Sequence, residues 1–153
     1  MNTSYNITYI FIAALLVTLA GPLATSAQQS ADVYLGGHKM QPKVQTSGSG
    51  MVTVTLKDDS LTVEGDFEYL TGNYSGAYIM YDIKKRPDNQ LFSLTADVNE
   101  NKRSGTFSTE QNRFQLSKAE QKLIKEGSLY IMISSFEHQT GEIRGNIPAM
   151  SNK

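Results

Sequence analysis

The sequence predicts an all-β domain, an antiparallel β-sandwich or open barrel carrying one short helix near residues 117–126. Three observations lead there. Apolar and polar residues alternate with period two from Met51 onward, turn residues separate the short apolar runs, and a single segment follows helical spacing. Such a mixture buries one face of each strand, either against a facing sheet or inside an open barrel.

The first residues are expected to be a targeting segment. Ile7 to Ala20 is an apolar run too short to span a bilayer comfortably, and mostly small residues follow up to Ala27. Residues 1–27 read as a signal peptide cleaved after Ala27, with an uncleaved anchor as the alternative, because the segment before the apolar run holds no Lys or Arg. No Cys follows it to take a lipid. The remainder divides into a short N-terminal segment at 28–32, a β domain at 33–148 and a C-terminal tail at 149–153. A periplasmic or secreted location follows, with no stable membrane span after cleavage.

The 14 basic and 15 acidic residues all lie beyond residue 27, so the mature part is nearly neutral. That balance argues against a nucleic-acid partner. The chain has no cysteine and hence no disulfide, and a domain of this length buries enough apolar surface without one.

The elements follow in order. Val52–Leu56 and Leu61–Tyr69, joined by Lys57-Asp58-Asp59-Ser60, read as a hairpin. Its inner face is Val52, Val54, Leu56, Leu61, Val63, Phe67 and Tyr69, leaving Glu64, Asp66 and Glu68 to solvent. A turn-rich stretch around Gly72 leads to a strand from Ala77 to Ile83, and a Lys84–Asn89 loop leads to another from Leu91 to Val98. Short strands fit Gly105–Phe107 and Arg113–Leu116. Ser117-Lys118-Ala119-Glu120 is a capping box, and Gly127 stands where a helix ends. Leu129–Ile133 is apolar on both faces, as a central strand would be, and Gly141–Ile147 closes the sheet.

Several of these stretches together resemble the CHRD domain, the chordin-type repeat. Tyr130-Ile131-Met132-Ile133-Ser134-Ser135 followed by Gly141-Glu142-Ile143-Arg144-Gly145 is similar to its C-terminal signature. Gly37 with Pro42-x-Val44-x-Thr46 and Gly50 is similar to its opening, and Leu70-Thr71-Gly72 with Ala77–Met80 to its centre. Leu123 with Gly127–Tyr130 matches the join of helix and strand. The resemblance implies an extracytoplasmic β-fold and, from animal relatives, a role in binding secreted proteins. Where many bacterial members carry His, this chain has Tyr78, Met80 and Ser134, so the metal chemistry that alternating imidazoles would imply does not carry over.

Residues of like parity place Tyr78, Met80 and Asp82 on one side of a strand, Tyr130, Met132 and Ser134 on one side of another, and Glu142, Arg144 and Asn146 on one side of the last. If the strands are neighbours, these rows form one candidate binding face. The competing reading is a second small core in which Arg144 pairs with Glu142 or Asp82 and covers the tyrosines. A partner, protein or envelope component, would engage this face or the loops at Asn73 and Lys84; oligomeric state is left open. A weaker alternative is a soft-metal or small-ligand site formed by His38 and Met40, taken to alternate on one strand, with Met80 and Met132. No cofactor and no catalytic residue is expected. Ser49 lies outside any nucleophile elbow, and Glu64, Asp66 and Glu68 alternate as a wet sheet face does.

Overall fold

The computed structural model describes residues 28–82 and 89–151, and its strands form one antiparallel sheet curled into a half-barrel, as the predicted fold class requires. In chain order they are β1 (Gln28–Gly36), β2 (Ser49–Lys57), β3 (Ser60–Glu68), β4 (Tyr74–Tyr81), β5 (Asn89–Leu94), β6 (Asp97–Val98), β7 (Gly105–Phe107) and β8 (Arg113–Gln115). The helix α1 (Lys118–Lys125) precedes β9 (Leu129–Ser135) and β10 (Ile143–Asn146). Across the sheet the order is β5-β4-β9-β10-β1-β2-β3-β7-β6, with β8 also on β3.

The predicted hairpin is β2–β3, in register from Ser49↔Glu68 to Lys57↔Ser60. Val52, Val54, Leu56, Leu61, Val63 and Phe67 are buried, and Glu64, Asp66 and Glu68 are exposed, because strict alternation leaves one face wet. Tyr69 departs from the expected inner face. It lies one residue past β3 with φ 57°, which breaks the alternation, leaves its ring 63% exposed and turns Leu70 inward instead.

Gly105–Phe107 and Arg113–Gln115 are strands as expected, and each pairs separately with β3. The run from Leu91 to Val98 is interrupted at Thr95 and Ala96, where the buried Asn112 amide bonds both the amide and the carbonyl of Thr95. Ile83 and the Lys84–Asp88 part of the following loop lie outside the described residues.

Residues 28–32 form the first half of β1, paired along its length with β2. Past Ile147, Met150 is buried and its amide donates to the Ile124 carbonyl. Helix α1 has both capping-box bonds, Ser117 to the Glu120 amide and Glu120 to the Ser117 amide. Leu129, Ile131, Ile133, Ile143 and Ile147 join the hairpin residues in one core inside the curl.

Candidate functional site

β9 lies between β4 and β10, so the neighbour relation that the candidate face requires holds. Tyr78 stands opposite Met132, and Met132 opposite Arg144; one step along, Met80 stands opposite Tyr130, and Tyr130 opposite Asn146. Ile79, Ile131, Ile133 and Ile143 alternate with them and fill the core. The two rows therefore share the outer face, where directly opposed side chains make contact.

Tyr78, Met80, Met132 and Arg144 are half-buried on this face, whereas Tyr130 is only 2% exposed. The Arg144 guanidinium lies over the Tyr130 ring, 3.5 Å from its centroid, and its Nε donates to Asn146 Oδ1 at 3.3 Å. This is a cation–π stack with one edge of the cation oriented by an amide. Beside it a groove of about 630 Å³ runs between the end of α1 and the sheet, with Tyr130, Arg144, Asn146, Asp82, Ser128 and Lys122 among its walls. Asp82 is exposed, and its amide donates to the Ser128 carbonyl. Ser134 is buried on the same side of β9 as Met132, its hydroxyl donating to the Gly76 carbonyl.

Glu142 behaves differently from its expected place in the Arg144 row. It precedes β10, is fully buried, and its Oε1 accepts from the Thr71 amide at 2.6 Å and from the Thr46 hydroxyl. Thr46 Oγ1 in turn hydrogen-bonds the Thr71 hydroxyl and accepts from the Gly48 amide. Glu142 Oε2 has no hydrogen-bond partner among the described residues. Burial raises the carboxyl pKa, but hydrogen bonding more than offsets it: the Thr46 hydroxyl and the Thr71 amide and hydroxyl favour the charge, and so does the nearby Ser135 hydroxyl, without closing a regular bond to Oε2. The carboxyl is held below its ordinary value of 4.5.

Thr46 and Thr71 were not among the expected site residues. The signal for them lay in the motifs: Thr46 belongs to the opening stretch, Thr71 to the central one and Glu142 to the last. The structure brings all three to one buried knot.

His38 and Met40 do not alternate on a strand. Gly37–Lys39 is a single turn of 3-10 helix that Met40 ends, leaving His38 exposed and Met40 buried. The Met40 and Met132 side chains both approach Gly141: a β-carbon there would lie 2.5 Å from Met40 Cε and 2.7 Å from Met132 Sδ. Met80 lies diagonally across the strands from Met132. Among the described residues no three His, Asp or Glu side chains are grouped to hold a metal ion, and no helix is long and apolar enough to cross a membrane.

Fold and site thus define a small all-β domain that wraps one antiparallel sheet around its core and ties three motif-bearing loops together through a buried glutamate. A family model for the CHRD domain matches residues 25–147, and the chain belongs to the CHRD-domain family. No curated protein and no solved structure matches significantly.

Proposed function

We propose that this protein is an exported, non-enzymatic binding module that engages a protein or an envelope component through the outer face of β4, β9 and β10. The observation that carries this reading is the assembly of Tyr78, Met80, Tyr130, Met132 and Arg144 on neighbouring strands of one face, where all but Tyr130 are partly exposed. Tyrosine and arginine are the residues that concentrate binding energy at protein interfaces, and methionine adapts its shape to a partner. Two exposed side chains extend the face onto the next strands, Tyr34 at 61% and Met51 at 43%, directly paired in register. Export rests on the apolar segment within residues 1–27, with cleavage after Ala27.

The test compares binding of purified protein to isolated envelope fractions and to secreted proteins of the host cell. Tyr78→Ala and Arg144→Ala should each weaken binding, while Glu64→Ala on the far part of the sheet leaves it unchanged. Equal binding by all three variants would overturn the assignment of the face.

The approach of the Met40 and Met132 side chains to the same glycine, Gly141, supports a second reading, a soft-metal site beside that glycine. Under it, silver(I) added to the same preparation binds at one ion per chain by native mass spectrometry, and Met132→Leu abolishes binding. Failure to bind, or uptake unchanged in that variant, removes this reading.

A further inference from the structure

Away from the outer face, the loops at one end of the sheet display apolar side chains that the fold does not use. Phe136 is 67% exposed, Tyr69 63% and Val98 39%, three of the large hydrophobic residues left open among the described ones. They are not on loose tips. The Phe136 amide donates to the Asn73 carbonyl, the Tyr74 amide to the Lys102 carbonyl and the Leu70 amide to the Arg103 carbonyl, so the loops form one hydrogen-bonded platform.

Between Phe136 and Val98 the platform holds a groove of about 430 Å³, with Tyr74 in its wall. That volume falls in the range of small-ligand pockets, about 300–1,000 Å³. Tyr74 is stacked on Phe67 with ring centroids 5.3 Å apart, which fixes this wall from the core side. The rim carries Asn73, Asn99, Glu100 and Lys102. Their side chains make no hydrogen bond or ion pair with other described residues.

We infer that this groove binds a neutral oligosaccharide. The rim carries one negative and one positive group and so selects neither an anion nor a cation by charge. Two amides, a carboxylate and an ammonium supply both donors and acceptors, which suits hydroxyl groups that do both. An aromatic ring standing open beside them suits the apolar face of a sugar ring, which needs no charge to stack. A lipid tail would strand the four polar groups, and a nucleic acid would meet no net positive charge. The site is separate from the outer face and does not depend on the function proposed for it.

The experiment is calorimetric titration of the purified protein with cellohexaose, maltohexaose and chitohexaose, with a heparin-derived hexasaccharide as the charged comparison. At least one neutral oligosaccharide should bind saturably, and Phe136→Ala should weaken it by about tenfold or more. Asn73→Ala should weaken it several-fold. Arg144→Ala should leave it unchanged, which separates this site from the Arg144–Tyr130 stack of the outer face. Since Phe136 is mostly exposed, its variant should keep the thermal midpoint of the parent. Absence of saturable binding to all three neutral sugars, tighter binding of the heparin fragment, or undiminished binding by Phe136→Ala would each overturn the proposal.

Discussion

At the scale of single residues, Glu142 shows how one side chain can organise loops far apart in sequence. A buried carboxylate costs several kcal/mol unless donors surround it. Here Thr46 and Thr71 supply them, and the charge in turn fixes the loops that carry them. Glu142→Ala would leave the Thr71 amide and the Thr46 hydroxyl without this acceptor and should lower stability by about 3 kcal/mol, read from urea unfolding at neutral pH. The pH dependence follows from the depressed carboxyl. A group whose folded pKa lies below its unfolded value stabilises the fold above the ordinary 4.5 and loses that contribution as pH falls through the folded value. Unfolding free energy should therefore decline as pH drops below about 4.5, and Glu142→Gln should flatten that decline. An unchanged acid limb in the variant would show that other carboxylates control it.

Among the elements, α1 is defined at both ends by local chemistry. Its N-terminus has the reciprocal Ser117–Glu120 bonds, and its C-terminus closes with the Gly127 amide on the Ile124 carbonyl and the Ser128 amide on the Leu123 carbonyl. Gly127 has φ 67°, where a residue with a β-carbon is disfavoured. Ser117→Ala and Gly127→Ala should each cost about 1 kcal/mol in urea unfolding. Their effects should nearly add, because the two caps share no partner. The helix matters beyond itself, since the Ile124 carbonyl receives the Met150 amide and its C-terminal turn walls the groove beside Tyr130.

For the whole molecule, the decisive junction is where β10 meets β1. The strands β5-β4-β9-β10 come mostly from the second half of the chain and β1-β2-β3 from the first, and that one border makes them a single sheet. Gly145 sits at the border: a β-carbon there would fall 2.6 Å from the Tyr34 carbonyl oxygen and 2.6 Å from Val33 Cγ1. The backbone oxygen cannot swing aside as a side chain would. Gly145→Ala should destabilise the domain by about 2 kcal/mol or more in thermal unfolding, with faster amide exchange along β1 than in the parent. A variant as stable as the parent would mean that the strands separate there without cost.

Local patterns settled much of this architecture before any tertiary contact was known. The β2–β3 hairpin, the capped helix and the doubly apolar β9 each follow from residues within a few positions of one another. The motif order also placed the chain in its family. Pairing partners were not legible in the same way. Alternation tells which face of a strand is wet but not which strand lies beside it, so β7 and β8 gave no sign that both attach to β3, and the polar start of β1 gave little sign of a strand at all. The candidate face was half legible: parity grouped Tyr78, Met80, Tyr130, Met132 and Arg144 correctly, because side-chain direction is a property of the strand itself. Glu142 escaped that reasoning. Its acceptor role is set by Thr46, 96 positions earlier in the chain, and by Thr71, which only the closed sheet brings near. The sequence by itself determined the β2–β3 hairpin, the capped helix and the alternation of wet and buried faces along most strands, since those depend on local period and capping. The tertiary structure alone decided the strand order, the buried glutamate knot and the stacking of Arg144 on Tyr130, since those depend on contacts between residues distant in the chain.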